Sequence, residues 1–420
     1  MIFVFIHQNF PAQYVHIVRH LASDPVNQVY FITQETEQAI AGVDKRVYRP
    51  EAPPPGGNPY NSAYEAAVRT ALAVLQTCRA LRAEGVIPDV VVGHSGWGET
   101  LLVKEVFPDT PVLSYFEYFY HAKGADVGFD PEFAPSLEDD GVRLRLRNAI
   151  SRMSFCASDW GHTATHWQRE LFLEDMQARI TVLHEGIDTD LIHPDPQARF
   201  RLEDAGIELR RSDEVITYVA RNLEPYRGFH CFMRALPELL ARRPGAQVLI
   251  VGGDAVSYGD VPPYGGSYRE MMLAELGDRL DTKRVHFLGQ VPKETYLNIL
   301  QVSSVHVYFT YPFILSWSLL EAMAAGCLVL GSDNPPVTEV LRDGIHGLLV
   351  DSFDEAAICD RICEVLDDPD RMQAVRAAAR AMVVKDFDLR RQMLPRWVKF
   401  LQDLAAGRHP AVESAQFVQN

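Results

Sequence analysis

At 420 residues, 47% of them apolar and 23% charged, the chain has the makeup of a globular protein and is too long for one ordinary core, so two domains are expected. A net charge of −16 argues against broad binding of nucleic acid or anionic membrane by overall charge. No run of about 18 apolar residues is present to span a bilayer, and six cysteines with no CxxC pair and no metal-ligand spacing read as reduced thiols of a cytoplasmic protein.

The N-terminal run MIFVFIHQNFP has no basic lead and too short an apolar stretch for a signal peptide, so it reads as a buried first strand. A helix over 11–22, a strand over 28–33 and a long amphipathic helix over 60–85 follow. Then come a strand at 89–94, a helix at 99–107, a strand at 111–117 and a long loop from His121 to about Asp140. A helix to about Arg152, a strand MSFCAS, a helix over 162–171 and a strand RITVLHEG complete the series. Nearly continuous apolar strands alternating with helices predict a parallel sheet covered on both faces.

A polar, proline-containing stretch, residues 188–213, separates this series from a second. There, strands at 214–220, 247–253, 284–289, 304–309, 328–333 and 346–351 alternate with helices, and two further helices carry the chain onward. The expected organisation is a first doubly wound domain over 1–190 and a second over 191–390. The amphipathic segment 391–420 should cross back to the first domain through Trp397, Phe400 and Leu401, with a disordered tail from about His409. Ligands of such sheets bind beyond the carboxyl ends of strands, so the cleft between two such domains is the expected site.

Two constellations carry chemistry. In VARNLEPYRGF, residues 219–229, Arg221 stands just past a strand end, and Arg227 immediately precedes Gly228 and a helix. Two guanidiniums there suit a diphosphate, because arginine stays charged and binds oxyanions bidentately; the bland alternative is salt bridges to Glu224. In residues 306–326, HVYFTYPFILSWSLLEAMAAG, a strand feeds a helix opening at Ser316, Trp317, Ser318 and Leu319, a natural phosphate site. Glu321 follows one turn on, placed to accept two ribose hydroxyls; the alternative is a cap or a pair with a neighbour.

These segments resemble the family 4 glycosyltransferases of the GT-B fold: two Rossmann-like parallel-sheet domains facing a central cleft. Ala220, Arg221, Leu223, Arg227 and Gly228 resemble the family's G-R-L-x-x-x-K-G, with one residue inserted and Arg for Lys. Leu320, Glu321, Ala322, Met323 and Ala324 match the end of its E-G-F-G-L-x-x-L-E-A-M-A. GIDTDLIHPD, DGIHGLLVD and FLGQV resemble further family segments, and at the last of these the backbone near Gln290 and Val291 would meet the base. One departure stands out: the family's first motif glutamate, which contacts the donor sugar, falls at Phe313, and its glycines fall at Ile314 and Ser316.

The resemblance implies retaining, metal-independent transfer of a sugar from a UDP- or GDP-linked donor to a glycan, glycolipid or protein glycan, with no cofactor. It also implies a bacterial polysaccharide-building enzyme, cytoplasmic or peripheral at the inner face of the inner membrane. Arg221 and Arg227 would stand in for a metal's charge, and no DxD stands at a strand end. The first domain would serve the acceptor through His7, Asn9, Ala12 and His94, with Lys123 and Asp126 in a loop rim that also holds Asp130. Ala12 occupies a family glycine position, and Glu117 and His121 compete for a family histidine position. The loop 252–268 reads as a lid or partner contact, or as a plain surface excursion. Phe313 keeps a non-catalytic GT-B scaffold open as an alternative, with a sugar-nucleotide epimerase behind it.

Overall fold

Apolar runs such as FVFI and VVVGH lie buried on both faces of their sheet, which is why they lack the polar alternation of half-exposed strands. The computed structural model describes residues 1–409 apart from 54, 55, 57, 59, 134–139, 204 and 264. Two compact units emerge. One comprises Met1–Gly128, Ala134–Gly186 and Leu389–Asn420; the other comprises Phe129–Phe133 and Ile187–Asp388.

The first unit is built on β1 (Ile2–Ile6), β2 (Gln28–Thr33), β3 (Val43–Val47), β4 (Val90–His94), β5 (Val112–Tyr115), β6 (Trp160–Thr163) and β7 (Ile180–Val182). They form a parallel sheet in the order β3-β2-β1-β4-β5-β6-β7. The helix Leu394–Ala405 packs into this unit's core through Trp397, Phe400, Leu401 and Leu404, an i, i+3, i+4, i+7 stripe. The Trp397 indole N–H donates to the His184 carbonyl at 3.0 Å.

The second unit opens with a hairpin, β8 (Arg199–Leu202) and β9 (Ile207–Arg210), antiparallel to each other. Its main sheet contains β10 (Val215–Asn222), β11 (Gln247–Gly253), β12 (Val285–Gly289), β13 (Val305–Tyr308), β14 (Leu328–Ser332) and β15 (Leu348–Val350). The order is β12-β11-β10-β13-β14-β15, all parallel. Strand order reverses between β1 and β4 in one sheet and between β10 and β13 in the other, the points at which doubly wound sheets open a ligand crevice.

Several local expectations are corrected. The segment 99–107 holds only a 3₁₀ turn, Val103–Glu105, rather than a helix. MSFC is the last turn of the helix Asp140–Cys156, and the strand begins later, at Trp160; a four-residue apolar run fits either structure. The polar connection contains the β8–β9 hairpin, whose Arg-Phe-Arg-Leu alternation is a period-two signal. Strand β3, VDKRV, went unseen because an edge strand carries charge. The tail expected to be disordered lies outside the described residues from 410 on, while His409 itself stacks on Trp160 at 5.3 Å.

Candidate functional site

In the second unit, the turn after β10 and the segment after β13 meet at the reversal of strand order. Gly228 has φ +63°, and a Cβ on it would come within 2.5 Å of the Phe309 Cβ, so only glycine lets the helix Phe229–Arg242 start this close to the end of β13. That start places Arg227. Its guanidinium is buried, and Nη1 donates to the Thr310 hydroxyl at 2.9 Å and the Ile314 carbonyl at 3.0 Å. Among the described residues no carboxylate pairs with it. Tyr258 lies beside it, ring centroid 5.1 Å from the guanidinium carbon. A buried cation whose partners are neutral is costly alone and is well matched to an anion.

The segment following β13 is held at several points. The Tyr311 N–H donates to the Tyr226 carbonyl at 3.0 Å, and the Ser316 N–H donates to the Tyr308 hydroxyl at 2.7 Å. Ser316 then caps the helix Trp317–Ala324 by accepting from the Ser318 N–H at 3.4 Å. Phe313 is buried against Tyr226 at 5.4 Å and Tyr258 at 5.0 Å, an aromatic wall beside Arg227. The Leu319 side chain faces the core, so only its backbone can serve a ligand. Trp317 is partly buried.

Glu321 is buried and occupied. One carboxylate oxygen accepts from the Lys293 ammonium and the other from the Tyr296 hydroxyl at 2.7 Å. Lys293 opens the helix that follows Gln290 and Val291, so Glu321 and the proposed base-contacting strand end are tied together. Gln290 is exposed and Val291 partly buried. A carboxylate has about four acceptor sites, which leaves room for hydroxyls beside these two donors. Arg221 is exposed, its side chain unpaired among the described residues. Glu224 does not bridge to either arginine; it is wholly buried and accepts backbone N–H groups instead.

In the first unit, residues from the ends of β1, β4 and β5 converge. The His94 Nδ1 accepts from the Gly96 N–H at 2.9 Å, which places its proton on Nε2, 3.5 Å from a Glu117 oxygen. His7 accepts from the Asn9 N–H at 2.9 Å and meets His94 edge-on at 5.3 Å; burial, and then the charge of His94, holds its pKa below the usual range. His94 stacks on Trp97 at 4.1 Å. Beneath them Glu99 accepts from the Gln8 N–H at 3.1 Å, and burial raises its pKa to about 7. Tyr14 Oη, His94 Nε2, Glu99 Oε2 and both nitrogens of His162 are buried with no hydrogen-bond partner among the described residues. Ala12 is the only non-glycine residue with positive φ among those described, at +50°.

Glu117 belongs to this strand-end group and His121 does not: the His121 Nε2 meets the Leu171 carbonyl at 2.7 Å, pinning a loop. The acceptor-rim reading of the loop is corrected. Asp126 is buried and accepts from the Tyr118 hydroxyl at 2.9 Å, and only Lys123 stays exposed. Asp130 belongs to the second unit, where it meets His230 at 2.9 Å and the Tyr311 hydroxyl at 2.6 Å. Burial alone would raise its pKa, but these donors hold it below the usual carboxylate value. Asp130, Glu132 and His230 offer ligand atoms within 4.8 Å of one another, yet Arg234 forks onto Glu132, and a guanidinium there opposes a bound cation.

Residues 201–382 match the family described as glycosyl transferases group 1, and residues 25–192 match the glycosyl transferase family 4 group. The chain belongs to the family 4 glycosyltransferases, with the GT-B fold. D-inositol 3-phosphate glycosyltransferase of Nocardia farcinica is 31% identical over 48% of this chain and 44% of its own length. A GDP-mannose-dependent alpha-(1-6)-phosphatidylinositol monomannoside mannosyltransferase of Mycolicibacterium smegmatis is 28% identical over 51% of this chain and 54% of its own. The chain thus spans about half the length of such curated relatives. Sucrose-phosphate synthase of Thermosynechococcus elongatus superposes over 97% of this chain and 100% of its own with TM-score 0.73 and 18% identity. HepE of Anabaena, solved with UDP and glucose, superposes over 96% and 100% with TM-score 0.66 and 15% identity. No helix of the described residues is long and apolar enough to cross a membrane.

Proposed function

We propose that the protein is a retaining glycosyltransferase that moves a sugar from a nucleoside-diphosphate donor to a glycan, glycolipid or protein-glycan acceptor. The observation that carries this reading is Arg227, a buried guanidinium with neutral partners at the β10–β13 reversal, beside the Ser316-capped helix. As the bond to the sugar breaks, charge grows on the departing diphosphate. A fixed cation and a helix N-terminus stabilise that charge more than the ground state. Arg221, exposed at the same strand end, adds a second positive charge, so the pair supplies what a divalent cation would. Glu321 accepts ribose hydroxyls alongside Lys293 and Tyr296, and the backbone near Gln290 and Val291 holds the base.

On this reading the first unit serves the acceptor. Its His7, His94 and Glu117 group, with several buried polar atoms unpartnered among the described residues, offers hydrogen bonds to a polyhydroxylated ligand. Six free cysteines, five of them buried, suit a cytoplasmic enzyme. The aromatic Phe313 favours a second reading, a nucleotide-binding scaffold without transfer.

Thermal-shift and calorimetric titration with UDP, GDP, ADP and their sugars, with Mg²⁺ or with EDTA, tests both. Binding to the folded state raises apparent stability by mass action. The expected result is a shift by one base class that survives EDTA and is lost in Arg227→Ala. Loss of two charge-assisted bonds, at about 1.5–3 kcal/mol each, weakens binding at least about a hundredfold. Turnover of the bound sugar nucleotide with an acceptor separates enzyme from scaffold. A shift abolished by EDTA would refute the metal-free clamp.

A further inference from the structure

The loop after β11 is long for its place, and its first half is tied down by an uncommon device. The Glu224 carboxylate, wholly buried, accepts from three consecutive backbone N–H groups: Ser257 at 3.2 Å to both oxygens, Tyr258 at 3.0 Å and Gly259 at 3.2 Å. Successive N–H groups turned to one point make an anion-binding nest, and here the protein's own carboxylate fills it. The Asn222 side-chain amide adds a bond to the Ser257 hydroxyl at 2.7 Å, and the Tyr268 hydroxyl donates to the Asp260 carbonyl at 2.8 Å. A surface excursion has no need of a buried charge, which costs free energy unless fully bonded.

Two consequences follow from that placement. Glu224 spends its acceptor capacity on the loop, so Arg227, three residues on, feels its charge but makes no direct ion pair with it or with another carboxylate among the described residues. Tyr258, fixed at the centre of the nest, is delivered beside the Arg227 guanidinium and against Phe313 while remaining partly exposed. An oxyanion reaching Arg227 therefore meets a phenolic O–H donor as well.

We infer that Tyr258 contacts the diphosphate end of the donor at the Arg227 site, and that Glu224 is the positioning residue that puts it there. This rests on reading Arg227 as the diphosphate clamp. The affinity ratio of nucleoside diphosphate to the matching monophosphate isolates the role, because a loss of general stability moves both ligands together.

Calorimetric titration of UDP against UMP, and GDP against GMP, is made on the wild type, Tyr258→Phe, Glu224→Gln and the double variant. Tyr258→Phe lowers diphosphate affinity about tenfold and changes monophosphate affinity less than about twofold. Glu224→Gln lowers the same ratio, and the double variant lowers it no further than Glu224→Gln alone, as coupled residues do. A ratio unchanged in Tyr258→Phe overturns the inference even if Glu224→Gln fails to fold. A ratio lowered additively in the double variant overturns the link between the two residues. Wild-type protein that binds diphosphate no better than monophosphate overturns the clamp reading itself, and the inference with it.

Discussion

Acid should find its weak point in His162. This imidazole lies at the centre of β6, fully buried, stacked on Tyr115 at 4.8 Å and edge-on to Trp397 at 4.8 Å, with neither ring nitrogen hydrogen-bonded among the described residues. Burial, and then the charge of His94, drives its pKa down to about 3. The unfolded chain takes a proton there near pH 6.5 and the folded chain does not, so stability is present above that pH and is lost as pH falls. The slope approaches about 1.4 kcal/mol per pH unit, which makes about 3 kcal/mol between pH 7.5 and 4.5. His184, lowered to about 4, and His306, lowered to about 3, act in the same direction. Glu99, raised to about 7, acts oppositely and adds stability as pH falls toward its unfolded value. The difference between wild type and His162→Leu removes these shared contributions. Urea unfolding of both proteins across this pH range, followed by tryptophan fluorescence, measures it, since Trp317 alone among the five tryptophans lies outside the first unit. The gap between the two curves should open by about 3 kcal/mol in favour of the variant. Curves that stay parallel would falsify the buried neutral imidazole.

Other substitutions probe other parts of the molecule. Ala12→Gly relieves a left-handed backbone strain of about 1–2 kcal/mol against about 0.5–1 kcal/mol of added chain entropy, so the melting temperature should rise by about 2 °C in calorimetry, whereas Ala12→Val should lower it. Glu321→Ala should bind UDP or GDP no better than the dideoxyribose analogue, while the wild type prefers the ribonucleotide about tenfold or more; retained preference would remove the ribose role. Asp130→Ala takes the acceptor from both His230 and Tyr311 and should cost about 3 kcal/mol in denaturant unfolding of the second unit, with little effect on the first.

How far the sequence could be read depended on the kind of signal. Central strands such as VFI and VVVGH announce themselves because burial on both faces leaves only apolar residues. β6 does not: Trp160, Gly161, His162 and Thr163 are all buried, yet two of the four are polar, so no hydropathy pattern marks them. Arg227 and Glu321 stand in recognisable local strings. Lys293 and Tyr296 reach Glu321 from 28 and 25 residues away, and Ser257 reaches Glu224 from 33. Such partners are set by how strands are ordered in the sheet, which spacing along the chain does not encode. The fate of loop 121–133 was hidden for the same reason: Asp126 and Asp130 look like solvated acids until their tyrosine partners are known.

The five residues Phe129–Phe133 bear on how the gene could have been assembled or recombined. They are encoded within the first half yet belong to the second unit: Phe133 meets His230 at 5.1 Å, Phe129 meets Tyr311 at 5.3 Å, and Glu132 is clasped by Arg234. A crossover at the obvious seam near residue 187 would hand a new partner a second half stripped of this pentapeptide, with His230 and Tyr311 lacking their acceptor. The two halves are therefore not freely interchangeable modules. Natural or laboratory shuffling of donor-side halves should succeed only between parents that share this insert, or when the insert travels with the half that it completes.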